Sequence, residues 1–235
     1  MTHLNDPDAV ATQYASEQNL RARQALYEED EGVSPFDVLW ESLVGLAPRR
    51  VVEVGGGPGE LAERMQRELA ATVSFVDVSP RMVGLARARG VDAQVGDVQE
   101  LPFADGSFDV AVAAWMLYHV PDLDRGLSEL ARVLRPGGAL VAVTNSVGHL
   151  RELRDLLAYP DGQEELFNRE NGEELLRRHF SQVERRDADG VVTVRDRQKL
   201  VAYRNSMQVP VQPVPERVPL PFVIHRRVSV FVAVR

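Results

Sequence analysis

The sequence predicts an α/β fold, a doubly wound and mostly parallel sheet with helices on both faces. Three observations carry this. From Val51 onward, short apolar runs alternate with stretches of helical periodicity, the pattern of successive βα units. A glycine-rich turn, Gly55-Gly56-Gly57-Pro58-Gly59, joins the first apolar run to the first helical stretch. The 235 residues are enough for one α/β domain with a buried sheet, and too few for two large domains.

Along the chain, Pro7 to Asp30 is polar with scattered apolar positions (Val10, Tyr14, Leu20, Leu26, Tyr27), which fits one or two amphipathic helices ahead of the core. Ser34-Pro35 reads as an N-cap with proline at the first helical position, and Leu39, Leu43 and Leu46 give that helix its apolar face. Strands are expected at Arg50 to Val54, Val73 to Val78, Val91 to Val95, Asp109 to Trp115 and Ala139 to Thr144. Leu61, Met65 and Leu69 recur every four residues between the first two, and Ser79-Pro80 starts a helix that Gly90 ends. A helix from Asp124 to Leu134 stops at the turn Pro136-Gly137-Gly138. Beyond that, His149 to Leu157, Gly172 to Arg178 and Arg197 to Ser206 read as helices. Val183 to Val194 reads as extended chain broken near Asp189-Gly190, and Val228 to Val234 as a final strand. Prolines 210, 213, 215, 219 and 221 mark a stiff connection before it. The expected division is a helical lid over 1–47, a core over 48–145 and an acceptor side over 146–235.

Composition removes several function classes. A formal net charge of -8, with arginines single or paired, repels a phosphate backbone, so no nucleic-acid partner is expected. With no cysteine there is no disulfide, thiolate metal site or cysteine nucleophile. The five histidines (3, 119, 149, 179 and 225) show no paired ligand spacing, and no metal is expected. Met1 to Asp8 is polar, and no apolar run reaches the length of a bilayer span, so the expectation is a cytoplasmic protein with no membrane partner. Monomer and homodimer are both open.

The chemistry concentrates at the ends of the strands. Glycines in the 55–59 turn let the backbone take positive φ and let a ligand approach without a Cβ in the way, at the N-terminus of the following helix. The same turn is also compatible with a bare βα connection. A dinucleotide fingerprint starting at Gly55 needs glycine at position 60, where Glu60 stands, which disfavours pyrophosphate. Asp77 ends the second strand 18 residues beyond Gly59, placed either to accept from two ribose hydroxyls or to cap the next helix. Gly96-Asp97-Val98 follows the third strand. Leu101-Pro102-Phe103 with Asp105-Gly-Ser-Phe-Asp109 leads into the fourth, and Arg132-Val-Leu-Arg-Pro-Gly-Gly138 precedes the fifth. Together with Val51-Val-Glu-Val-Gly-Gly-Gly-Pro-Gly59, these segments, in this order over roughly Val51 to Leu140, resemble the class I S-adenosylmethionine (SAM)-dependent methyltransferases, in particular their ubiquinone/menaquinone-biosynthesis-like group (methyltransferase type 11).

The resemblance implies a Rossmann-like sheet of seven strands, the last antiparallel, with a helical N-terminal lid. It implies SAM as methyl donor, yielding S-adenosylhomocysteine, and a small-molecule acceptor methylated on O, N or C. By the same resemblance Glu53, Gly55 and Gly57 hold the methionine portion, Asp77 the ribose, and Val78 and Met82 flank the adenine, although Met82 fits helix core equally well. Asp97 accepts from the adenine amino group, and the Val98 backbone meets the ring. Tyr14 and Arg23 resemble lid residues that close over SAM, with Arg21 as well placed as Arg23. Residues just past strand ends line the ligand crevice of such sheets, so Ala114 and Trp115 border donor and acceptor, with Tyr118 and Asn145 close to the substrate. His119 is either a general base or an orienting residue of its loop, and His149 either an acceptor-binding group or a surface histidine. Two rivals stand beside this reading: a peptide or protein methyltransferase, and a non-catalytic SAM-binding module.

Overall fold

A computed structural model describes residues 17–160, 166–207 and 210–235 of the chain. Tyr14 lies outside the described residues. The described chain begins with α1 (Glu17–Gln24), a 3-10 turn (Ala25–Glu29) and β1 (Asp30–Gly32), followed by α2 (Pro35–Leu46). The expected helix therefore stops short of Asp30, because β1 pairs antiparallel with a distant strand through Asp30↔Val192 and Gly32↔Gly190, which local periodicity does not encode. At the start of α2, Ser34 Oγ accepts from the Asp37 N–H at 3.2 Å and Pro35 occupies the first turn, as its sequence requires.

The βα units follow as expected: β2 (Arg50–Val54), α3 (Glu60–Leu69), β3 (Thr72–Asp77), α4 (Pro80–Ala88), β4 (Asp92–Val95), β5 (Phe108–Ala114), α5 (Leu123–Val133) and β6 (Leu134–Asn145). Strand β6 is longer than expected. Phe108 pairs with Leu134 and Val110 with Ala139, so Arg135 to Gly138, the anticipated proline-glycine turn, bulges out inside one strand. The last elements are α6 (Arg151–Leu156), α7 (Gly172–Leu176), β7 (Gln182–Val194), α8 (Arg197–Asn205) and β8 (Phe222–Val234). The break expected near Asp189-Gly190 is absent, for β7 pairs with β8 in unbroken register from Gln182↔Val234 to Val194↔Phe222. Glycine is needed at 190 for a different reason. A Cβ there would lie 2.2 Å from Arg226 Nη2 and 2.5 Å from the Glu31 carbonyl, so the strand leaves room for a buried guanidinium.

The sheet has eight strands in the order β1-β7-β8-β6-β5-β2-β3-β4, one more than the seven expected, the addition being the short edge strand β1. Strands β2 to β6 are mutually parallel, and β8 is antiparallel to both β6 and β7. Alternate residues of the strands face two apolar layers. Val52, Val54, Ala111, Ala113, Leu140 and Ala142 pack with Leu127 and Leu130 of α5. Val51, Val73, Phe75, Val110 and Val112 pack with Leu39 and Leu43 of α2, Met65 of α3 and Ala86 of α4. This is a Rossmann-like, doubly wound arrangement.

Two features position the site. The chain moves outward from β2 to β3 and β4, then returns to β5 on the other side of β2, so the strand order reverses between β2 and β5 and opens a crevice at their carboxyl ends. In addition, β6 ends at Asn145 opposite Val228, while β8 reaches back to Phe222 and β7 on to Val194. The β7–β8 hairpin therefore overhangs the sheet at its carboxyl end. It carries a third apolar cluster made of Leu26, Leu150, Leu153, Leu157, Val192, Val194, Leu200 and Ile224.

Candidate active site

Each side of the crevice is built by a strand end. Glu53 lies on the α3/α4 face of β2, 1% exposed, and accepts a hydrogen bond from the Ala62 N–H. Helix α3 starts at Gly59 without a side-chain cap of its own, so this carboxyl from the strand below serves its first turn. The other oxygen, Oε2, is buried without a hydrogen-bond partner. Burial pushes Glu53 from the ordinary 4.5 to about 8, with the negative Asp77 adding to the rise. Asp77 ends β3 on the same face, 8% exposed. It accepts from the Ser79 N–H at 2.8 Å and from the Gly57 N–H, and burial lifts it from 3.8 to about 6. The contact to Ser79 places it at the start of α4, as the capping reading expects, and the contact to Gly57 ties the glycine turn to the adjacent strand.

These shifts predict a pH dependence. Both folded values lie above the ordinary ones, so the stabilisation is full below about pH 4 and is lost as pH rises towards about 8. In Glu53→Gln the amide still accepts from Ala62 and carries no charge at any pH. Urea melts at pH 5, 6.5 and 8 are expected to show the unsubstituted chain losing on the order of 1 kcal/mol per pH unit more than the variant. Parallel curves for the two proteins would show that Glu53 is ionised at ordinary cost.

Within the turn, Gly57 has φ +60° and a Cβ there would meet nothing within 4 Å, so its backbone faces open space. At Gly55 a Cβ would come 2.8 Å from Met116 Cβ, so the β2 and β5 loops abut at the switch point. At Gly56 it would fall 2.4 Å from the Glu53 carboxyl and 2.7 Å from the Phe75 ring. Gly56→Ala is expected to cost about 1–3 kcal/mol by overpacking, read as a lower urea midpoint. An unchanged midpoint would mean that Glu53 and Phe75 shift freely.

The remaining expected residues are placed as follows. Val78 is 55% exposed beside Asp77, whereas Met82 is 1% exposed and faces the interior, so of the pair expected around an adenine only Val78 presents surface. Asp97 is exposed and accepts from the Gln99 N–H at 2.9 Å and from Gln99 Nε2 at 2.8 Å; Val98 is buried in the core. Gln99, which the sequence reading passed over, links this loop to the next, since its Oε1 accepts from the Asp122 N–H at 2.9 Å. Beyond β5, half-buried Ala114 leads into Trp115, held at φ +54°. The Trp115 indole N–H donates to Asn145 Oδ1 at 3.2 Å, joining the ends of β5 and β6, and its ring packs against Phe36 at 5.0 Å between centroids. Tyr118 and His119 follow in a 3-10 turn, their rings 4.5 Å apart edge to face.

Two expected residues stand away from the strand ends. Arg23 is half-buried on α1, with Nε donating to the Asn19 carbonyl of its own helix, while Arg21 is exposed. His149 is not a surface histidine. Its Nε2 is 3.1 Å from the Tyr27 hydroxyl and its Nδ1 3.1 Å from the Arg227 backbone, and burial, with Arg226, Arg154 and Arg169 nearby, pushes it down to about 3. The 101–105 and 132–138 motifs turn out to be scaffold. Arg132 donates to the carbonyls of Leu101 and Phe103 at 3.0 and 2.7 Å and pairs with Asp105 and Glu129. Among the described residues no group of three or more His, Asp or Glu could hold a metal ion, and no helix is long and apolar enough to cross a membrane.

Residues 52–142 match the family model described as a methyltransferase domain. The chain is 30% identical over 172 residues to a malonyl-[acyl-carrier protein] O-methyltransferase of Serratia marcescens, covering 69% of this chain and 64% of that protein. It is 35% identical over 117 residues to a ubiquinone/menaquinone biosynthesis C-methyltransferase of Geobacter sp. (strain M21), covering 46% of this chain and 50% of that one. The chain thus spans half to two thirds of the length of these relatives. Its fold is similar to that of the Haemonchus contortus phosphoethanolamine N-methyltransferase 2 solved with S-adenosylhomocysteine, with a TM-score of 0.66 at 19% identity, covering 100% of this chain and 60% of that one.

Proposed function

We propose that the chain, which carries a class I SAM-dependent methyltransferase domain over residues 52–142, transfers the methyl group of SAM to an O, N or C atom of a small-molecule metabolite. One observation carries the reading. Two buried carboxyls, Glu53 and Asp77, sit at the ends of adjacent strands beside the open backbone of Gly57. The Asp77 carboxyl at a strand end and the open glycine backbone beside it fit a ligand that brings polar hydrogens and no phosphate.

SAM, when bound, supplies a methyl group already activated on a sulfonium. The residues of the chain bind and orient. Gly55 and Gly57 offer backbone to the methionine portion above Glu53, Asp77 accepts from the ribose hydroxyls, Val78 gives an apolar face to the adenine, and Asp97 accepts from its amino group. Trp115, fixed by Asn145, with Tyr118 and Ala114, borders the acceptor. Holding the reacting atoms in line accounts for about 7–11 kcal/mol of the barrier, so no triad or metal is needed. Of the two histidines, His119, in the turn directly after β5, is the one placed to take a proton from the acceptor. In this reading the lid expected over residues 1–47 narrows to the segment ahead of β1 and α2, since β1 pairs into the sheet and Leu39 and Leu43 of α2 lie in the core, while 48–145 form the donor core and 146–235 the acceptor side. The protein works in the cytoplasm, and its net charge of -8 keeps it off nucleic acid.

Incubating the chain with tritiated SAM and a metabolite extract should move label into a small molecule. Binding of SAM with no transfer across broad extracts would instead make the chain a non-catalytic SAM-binding module, and label appearing in protein would favour a peptide acceptor.

A further inference from the structure

Four consecutive residues ahead of the core each engage a different part of the overhanging hairpin and its helices. The Tyr27 hydroxyl is 3.1 Å from His149 Nε2, Glu28 pairs with Lys199 of α8 at 2.8 Å, Glu29 with Arg195 at 2.9 Å, and Asp30 with Arg226 of β8 at 2.6 Å. Leu26 is buried in the same apolar cluster, and β1 continues the attachment onto β7. The first contact differs from the other three in its location. His149 stands four residues past Asn145, the β6 residue that fixes Trp115 at the crevice, and its own N–H donates to Ser146. The path from Tyr27 through His149 and Ser146 to the neighbouring Asn145 and on to Trp115 therefore runs from the N-terminal segment to the acceptor side of the proposed site.

We propose that Tyr27 and His149 form a clasp that seats the N-terminal segment, residues 17–32, against the acceptor side of the crevice, and that both act as positioning residues. The inference rests on the methyltransferase reading for what the crevice holds, but the clasp itself is a matter of geometry. With Nδ1 accepting from the Arg227 N–H, the imidazole Nε2–H donates to Tyr27. In the other tautomer Nδ1–H donates to the Arg227 carbonyl and the tyrosine hydroxyl donates to Nε2. Either way the clasp is made of neutral groups. Burial holds the Tyr27 hydroxyl well above its ordinary 10, with Tyr203 and Asp30 adding to the rise, while Arg226 and Arg23 oppose it. The cationic groups facing His149, Arg226 of β8, Arg154 of α6 and Arg169 ahead of α7, add to the burial that keeps the ring uncharged. With Nε2 engaged by Tyr27 and Nδ1 by the Arg227 backbone, neither ring nitrogen is free to take a proton from an acceptor, so His149 acts by position and leaves proton transfer to other groups.

Hydrogen exchange on the full-length protein tests this with Tyr27→Phe, His149→Ala and His149→Gln. The first two are expected to raise exchange over residues 25–32 by tenfold or more, with the β2 and β5 segments still protected, which shows that the variants are folded. His149→Gln, whose amide reaches the Nε2 position, is expected to restore part of the protection. Label transfer from tritiated SAM between pH 6 and 9 should fall in His149→Ala by the same factor at every pH. Unchanged exchange in both Tyr27→Phe and His149→Ala would overturn the clasp, as would a pH profile that loses an ionisation in His149→Ala, which would make the histidine a base. If the unsubstituted protein transfers no methyl group the proposed function fails, while the exchange result still decides the clasp.

Discussion

Replacing Arg226 with alanine is expected to destabilise the protein by about 3–5 kcal/mol, the cost of leaving a buried charge without its partner. The guanidinium is 2% exposed and donates in three directions: from Nε to Asp30 Oδ2 at 2.6 Å, from Nη1 to the Ala188 carbonyl, and from Nη2 to the Val33 carbonyl at 3.0 Å. Among the described residues Asp30 Oδ1 is buried without a partner and Oδ2 accepts from Arg226, so removal of Arg226 takes the hydrogen bond that Oδ2 makes and leaves a void under Gly190. For a chain of this size the loss corresponds to a fall of roughly 6–20 °C in the melting temperature. A companion variant, Arg226→Met with Asp30→Leu, removes both charges and should recover part of the loss. A drop below about 1 kcal/mol for the alanine variant would show that water replaces the guanidinium at little cost.

Asp77→Ala is expected to weaken S-adenosylhomocysteine binding on the order of tenfold or more, because in the proposed binding mode two ribose hydroxyls lose their acceptors. The substitution also frees the Gly57 and Ser79 N–H groups that Asp77 now engages, so part of any effect could come from a loosened glycine turn. Asp77→Asn separates the two. Its carbonyl oxygen keeps an acceptor for those N–H groups but offers the ribose one acceptor fewer, and it should bind with intermediate affinity and, carrying no buried charge, melt no lower than the unsubstituted protein at neutral pH. If Asn binds as tightly as Asp, the carboxylate serves the turn alone.

How much of this was legible in the sequence depends on the range of the contacts involved. The βα half was readable because its signals are local: Ser34 and Ser79 cap helices three residues away, and Val51 to Val54 and Phe108 to Ala113 pack on both faces of the sheet. The carboxyl ends of β2, β3 and β5 could be named for the same reason, since strand followed by turn is itself local. What was missed depends on pairing across long stretches of chain. Among the described residues strand β1 pairs only with β7, the hairpin runs unbroken through Asp189-Gly190 by its pairing with β8, where glycine leaves room for Arg226, and Tyr27 meets His149 across 122 positions. Met82 shows the limit of a shared pattern: a helix position one turn past a strand end serves a ligand or the core, and only packing decides that it faces inward. Glu53 was readable as a strand residue ahead of the glycines, but its service to the first turn of α3 and its high proton affinity follow from burial, which appears only once the helices close over the sheet.

Whether the crevice between β2 and β5 holds the methyl donor is decided by calorimetric titration of S-adenosylhomocysteine into the unsubstituted protein and Asp77→Ala. Saturable one-site binding to the unsubstituted protein is expected, with an affinity lower by tenfold or more in the variant. Absence of binding to the unsubstituted protein, or equal affinity in the two, would contradict it.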